Sequence, residues 1–378
     1  MSVFLTVAVG IVVGWIMVDM GFPFSSETQR SPPNPSSTFR ALYAVNQSSA
    51  IRGSISVYDI DRGHRLVKRI STVPNVDDVT GVAVNTATGK LHVAYRTHSA
   101  DGMIYCLSLY QDVVLWNKAI KPGVDRLSIH PNGRLLYVPT SEYGSADFIN
   151  VLDAESGEVV RQVYFSNRSH DSQFPLSGPL FQETKATDGS GNYLYMIDPI
   201  TYAVSRIGPY SGMLGPYAVD SVSRYVVNNV YGVWGMQVAD IKTGQIVSAI
   251  IPHHPPKQFG SIHGIGWTPD ESEVWENGSY GDPHVYVWDM SNPMVPKLEQ
   301  QLNLRNKNRA HWLTFNLKGD YAYISPEKNS EYGTEIFNTR TRRSVGLIGS
   351  SEDMVEIDFT DGVITGAGDQ FGIGRAAH

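Results

Sequence analysis

Cysteine is almost missing. Cys106 stands alone among 378 residues, so no intrachain disulfide can form, and the count does not separate an oxidising from a reducing compartment. The thiol lies in the strand-like run Met103-Ile104-Tyr105-Cys106-Leu107 with no activating pattern around it, which predicts a small buried apolar group rather than a nucleophile. Positive charge is scarce as well. With 30 Lys and Arg against 37 Asp and Glu, the formal charge of −7 argues against a nucleic-acid partner, whose affinity rests on neutralised phosphates. The two basic clusters, residues 305–309 and 340–343, are short enough to be solvated surface. Also absent are a Gly-rich phosphate loop, a G-x-S-x-G elbow, an H-E-x-x-H helix and a C-x-x-C-H haem site. Nucleotide, haem and serine-hydrolase chemistry lose their usual support.

A long apolar run opens the chain. Residues 3–18 carry no charge and end at Asp19, and residues 25–39 follow as a Ser/Pro-rich tether unable to pack a core. The run falls short of the roughly 20 residues that cross a bilayer comfortably, which favours a signal peptide. The lack of Lys or Arg ahead of it and of an A-x-A site keeps an uncleaved anchor equally open. The expected division is 1–24 signal peptide or membrane anchor, 25–39 linker and 40–378 folded domain. Either form places the domain outside the cytoplasm, as a secreted, periplasmic or membrane-anchored protein. Three N-x-S/T sequons, at Asn46, Asn167 and Asn277, are compatible with a secretory route, two of them close to strand ends.

What is plentiful is Gly (35), Pro (21) and Tyr (20), a composition of short strands joined by tight turns. One phrase recurs, a β-rich run ending in Asp or a stand-in and followed by a turn. It ends at Asp59, Ser108, Asp153, Asp198, Asp240, Asp289 and Asn338, with spacings of 42 to 49 residues. That is the length of a four-stranded propeller blade. A second, interleaved series marks innermost strands, clearest over residues 125–138 (DRLSIHPNGRLLYV), and its members start near Thr80, Asp125, His170, Gly215, His263, His311 and Asp353. Both series have seven members, which predicts an all-β, seven-bladed β-propeller. Closure is expected from residues 354–359 pairing with the N-terminal strands 41–45, 54–59 and 65–70. Residues 363–366 also read as a strand and compete for the second place.

Residues 136–140 (LYVPT) and 148–160 (FINVLDAESGEVV) resemble the YVTN-repeat β-propellers, a group with a lactonase-like fold that includes bacterial surface and periplasmic proteins. Weaker echoes stand at Tyr43-Ala44-Val45-Asn46, Tyr225-Val226-Val227-Asn228 and Tyr323-Ile324-Ser325-Pro326. The resemblance implies the fold over nearly all of 40–378 and leaves the chemistry open, since such scaffolds host binders and lactonases alike.

The seven inner-strand starts converge on one channel mouth. Three histidines and two carboxylates among them make His170, His263, His311, Asp125 and Asp353 candidates for acid/base catalysis, and the three histidines candidates for holding a divalent metal. A histidine there also suits a plainer role, donating to a carbonyl of the next blade. Loops on the same face repeat Ser-Glu-Tyr-Gly or Gly-Ser-Tyr-Gly, which offers Glu142, Tyr143, Tyr280 and Tyr332 as a rim for ligand contact, with Glu276 and Glu327 at second-strand ends. Two functions follow. One is a binding module that takes a protein or small molecule at the mouth, as an accessory subunit of a membrane complex for example. The other is a metal-assisted or acid/base enzyme of lactonase-like hydrolase or isomerase type.

Overall fold

A computed structural model of the chain describes residues 38–98, 102–140, 146–165, 168–185, 192–233, 235–249, 262–279, 281–305, 310–326 and 332–369. The apolar N-terminal run and Asn167 lie outside them. Every marker phrase is the third strand of a blade, from Ile55–Asp59 and Gly102–Ser108 through His284–Asp289 to Thr334–Asn338. The recurrent acid has a local cause. Asp153 Oδ1 accepts from the Ser156 amide at 2.7 Å, and Asp198, Asp240, Asp289 and Asn338 accept in the same way from the turn that follows each strand. Those amide donors hold the Asp153, Asp198 and Asp289 carboxyls below the usual range.

Seven sheets result, six of four strands and one of five. In chain order, blades 1 to 6 have the inner strands Asp78–Asn85, Ser128–Ile129, Arg168–Gln173, Leu214–Val219, Ile262–Trp267 and Ala310–Phe315. Blade 7 joins the two ends of the chain. Its strand Ser351–Thr360 pairs antiparallel with Thr38–Asn46 along the full length, so the first strand begins two residues before the expected boundary. The buried Arg40 guanidinium ties the closure, with Nε 2.9 Å from Glu356 Oε1 and Nη1 2.8 Å from Asp61 Oδ1. The competing strand finds a place of its own. Val363–Ala367 pairs with the opposite edge of Ser351–Thr360 through a hairpin whose Asp361 and Gly362 both have positive φ (52° and 80°). At Asn132-Gly133 only the glycine does, with φ 73°, because the loop runs from His130 to Leu135 rather than turning in two residues.

The core lies between blades. Wholly buried Trp275, Trp288 and Trp312 and a set of tyrosines fill the wedges between sheets, which no single sheet could cover alone. Cys106 is buried there, and burial pushes its thiol up to about 12, in keeping with an inert role. Asn46 and Asn277 are also buried, Asn46 Nδ2 bonding to the Ser54 carbonyl at 2.9 Å, so neither sequon is open to modification in the folded chain.

Candidate functional site

A β-bulge recurs at the starting end of the inner strands. In blades 1, 3, 4, 5, 6 and 7 the register slips by one residue after Val79, Ser169, Leu214, Ile262, Ala310 and Ser351. A bulge breaks the strict alternation of faces and re-aims side chains, so neighbouring residues can serve one site. In blade 2 the backbone of Arg126 bridges in parallel to Asp171 of blade 3, which holds Arg126 against the start of that neighbouring inner strand.

Arg126 is buried and organises the site. Its guanidinium bonds to Glu352, lies 3.2 Å from Asp353 Oδ1 through Nη1 and 3.6 Å from Asp171 Oδ1 through Nε, and its Cζ sits 3.5 Å over the Trp312 ring. Asp125 takes a 3.0 Å bond from Arg96, which also reaches Asp78 at 3.6 Å. His311 Nδ1 lies 2.7 Å from Glu352 Oε1. His263 stacks on His311 with ring centroids 3.8 Å apart, and its Nδ1 donates to the His311 carbonyl at 2.7 Å. His170 Nδ1 stands 3.0 Å from Glu183 Oε2 and 3.2 Å from Asp171 Oδ1, while Lys185 Nζ sits 2.5 Å from the other Glu183 oxygen. The inner-strand ends of blades 1, 2, 3, 6 and 7, with Arg96, Glu183 and Lys185 from second strands, thus bring their charged groups into one connected network.

The protonation states follow from burial and neighbours. Burial, reinforced by His311 and His170, holds His263 well below the ordinary imidazole range, so the ring is neutral with its proton on Nδ1 and a lone pair on Nε2. Burial pushes Asp353 up to about 7 despite Arg126. Glu352 and Asp171 go the other way. For each, burial raises the carboxyl, but the adjacent histidine and Arg126 outweigh it and hold the group below its usual range.

Against the sequence expectations, His170, His263, His311, Asp125 and Asp353 all belong to the network. The three imidazoles do not gather around one point, however. Among the described residues, the His, Cys, Asp and Glu side chains whose ligand atoms lie within 4.8 Å of one another are His170, Asp171 and Glu183. His263 instead fills the plainer role, donating to a carbonyl of the next blade. The residue extruded by the blade 7 bulge is Glu352, with Asp353 one place further on. Thr80 and Gly215 supply no charge. Glu276 is wholly buried inside blade 5, accepts from Trp288 Nε1 at 2.7 Å and is pushed up to about 8 by burial, which makes it a core group rather than a rim ligand. Tyr332 is 48% exposed and suits a rim contact. Glu142, Tyr143, Tyr280 and Glu327 lie outside the described residues.

Sequence reasoning missed Arg126, Asp171, Glu183, Lys185, Glu352 and Trp312. One signal was present: the second strand Leu180–Lys185 ends Gln-Glu-Thr-Lys, four polar residues that are all buried. Toward the other end of the inner strands a cavity of about 150 Å³ is lined by Val82, Leu127, Ile129, Phe174, Leu176 and Asp369 among others, away from the charged network.

No family model and no curated protein matches the chain. Solved structures do. Hydrazine synthase of Kuenenia stuttgartiensis aligns over 79% of this chain and 97% of its own, with TM-score 0.61 and 13% identity. The Cps50 (Swd1) β-propeller domain of Myceliophteria thermophila aligns over 72% and 88%, with TM-score 0.56 and 14% identity. Dihydro-heme d1 dehydrogenase NirN, in complex with DHE, aligns over 88% and 75%, with TM-score 0.56 and 13% identity. What they share with this chain is the fold. At such identities the likeness carries no chemistry across.

Proposed function

We propose that this chain is an exported or membrane-tethered propeller that binds a small polar ligand or a protein segment at the bulged mouth of its channel. The observation that carries the reading is the desolvated network around Arg126. Burying Asp171, Glu183, Arg126, Glu352 and Asp353 together costs several kcal/mol per ion before pairing offsets it, and a propeller ring closes without any of them. Polar groups kept at such expense at a channel opening are characteristic of binding sites. The apolar run at residues 3–18 supports export or anchoring, and the −7 charge supports a partner other than nucleic acid. A YVTN-repeat kinship belongs to the same reading and rests on the LYVPT and FINVLDAESGEVV segments.

Thermal denaturation in EDTA against a panel of small organic acids, amines and sugars tests this. A ligand at 100 times its Kd stabilises by about 2.7 kcal/mol. The expected result is a raised midpoint for at least one chemical class in the wild type and none in His311→Ala. No shift in the wild type, or an undiminished shift in the variant, counts against it. A second reading, acid/base or metal-assisted hydrolysis or isomerisation, draws support from Asp353 poised near neutrality in the field of His311, which pairs with Glu352.

A further inference from the structure

The geometry points to a divalent-metal site formed by His170, Asp171 and Glu183, with Zn²⁺, Mn²⁺ or Fe²⁺ as the class of ion. The assignment rests on the mouth being a binding site and names an occupant for it.

Two hydrogen-bonded strands supply the three donors. His170 and Asp171 are consecutive residues in the bulge of Arg168–Gln173. Glu183 lies across from them on Leu180–Lys185, where the pairing runs Ser169 to Thr184 and then Ser172 to Gln182. In a regular strand His170 and Asp171 would face opposite ways, and the bulge turns both toward Glu183. The spacings suit one ion. With metal–ligand bonds near 2.1 Å, neighbouring ligands stand about 3.0 Å apart in an octahedron and about 3.4 Å apart in a tetrahedron. His170 Nδ1 is 3.0 Å from Glu183 Oε2 and 3.2 Å from Asp171 Oδ1. One imidazole nitrogen with two carboxylate oxygens is a borderline donor set, which suits these ions better than a soft or a purely oxygen-seeking one.

A separate observation asks for a cation here. Asp171 is 0% exposed, and neither of its carboxylate oxygens receives a hydrogen bond from a described residue. The single Nδ1 of His170 already bonds Glu183, and Arg126 approaches only to 3.6 Å. His170 and Arg126 offset the burial of this charge from a distance, yet both oxygens are still left without a hydrogen bond in good geometry, a need that a directly bound cation would meet. Around it the carboxyls Asp78, Asp125, Asp171, Glu183 and Glu352 stand against Arg96, Arg126 and Lys185, with His170 and His311 paired to the same carboxyls. Lys185 occupies Glu183 Oε1 and leaves Oε2 facing His170.

The test is equilibrium dialysis of untagged, EDTA-stripped protein against Zn²⁺ and, separately, Mn²⁺, with bound metal counted by mass spectrometry. One ion per chain is expected. Affinity should fall at least about 100-fold in Glu183→Gln and His170→Ala, since changes to outer-shell partners alone cost up to that much, and stay nearly constant in His130→Ala, a loop histidine outside the network. Circular dichroism identifies any variant that fails to fold, and Asp171→Asn then replaces it. Co²⁺ loaded in place of Zn²⁺ adds a visible spectrum that the same substitutions should abolish. Absence of stoichiometric binding, unchanged affinity in Glu183→Gln, or an equal loss in His130→Ala overturns the site. The compound panel in EDTA is independent of metal, so the assignment can fail while the binding mouth stands.

Discussion

Replacing Arg126 with Met tests whether the mouth is organised as described. Met keeps the unbranched stem over Trp312 but removes the charge that faces Glu352, Asp353 and Asp171. Breaking a buried pair by removing one partner costs about 3–5 kcal/mol, since the other partner is left as an uncompensated charge. At about 2.1 cal/mol/K per residue over roughly 330 folded residues, the unfolding entropy is near 0.7 kcal/mol/K, and the midpoint falls by about 4–7 °C. The pH dependence is more diagnostic. In the wild type Arg126 helps hold Glu352 and Asp171 below their usual range, a contribution present above the unfolded carboxylate pKa and lost as pH falls through the folded values. Without Arg126 those pKa values rise, and the penalty grows with pH from about 4 upward. The gap between variant and wild type should therefore be widest near pH 8 and shrink toward pH 5, as read by calorimetry or circular dichroism melts. A gap under about 1 kcal/mol at pH 8, or one that widens on acidification, would refute an ion-paired Arg126.

Other consequences are simpler to measure. Glu276→Gln should match the wild type near pH 4, where the carboxyl is protonated in folded and unfolded chain alike, and should already melt higher at pH 7, because burial holds the folded group protonated up to about 8 while the unfolded chain ionises it. Wild-type stability from this group falls as pH rises from the unfolded carboxylate range through about 8, so the Gln variant should be the more stable protein at pH 9. Cys106 should resist iodoacetamide at pH 8 in the folded protein and react fully in guanidinium; rapid labelling of the native state would contradict its burial. A chain ending at Gly349 lacks the strand that pairs with Thr38–Asn46 and should show no cooperative unfolding transition in calorimetry. Retention of a sharp transition would show that ring closure is dispensable.

The fold was legible because its signals are local. The acid at the end of each third strand caps its own turn, so Asp153 or Asp289 can be recognised without knowing any distant partner, and the blade period then sets the number of sheets. The first strand's place beside Ser351–Thr360 follows once the period is known. The position of Val363–Ala367 does not, because an antiparallel hairpin fits either edge of a strand equally and only the occupied edge decides.

In the candidate site, the sequence named Asp125, His170 and Asp353 but passed over their neighbours Arg126, Asp171 and Glu352, and it missed Glu183 and Lys185 on a second strand altogether; at Asp171 and Glu352 the reason is the bulge. A period-two pattern assigns Glu352 and Asp353 to opposite faces, and likewise His170 and Asp171. The extra residue in each inner strand turns both members of each pair toward the network: Arg126 meets Glu352 and Asp353 together, and His170 shares its nitrogen between Asp171 and Glu183. Hydropathy cannot reveal such a slip, since the residues involved are polar on either face. What exposes it is the backbone register, repeated in six blades after Val79, Ser169, Leu214, Ile262, Ala310 and Ser351. A feature that recurs in six of the seven blades belongs to the scaffold; the charged residues that blades 2, 3, 6 and 7 set at that level are what a ligand of the proposed mouth would have to match, rather than the propeller itself.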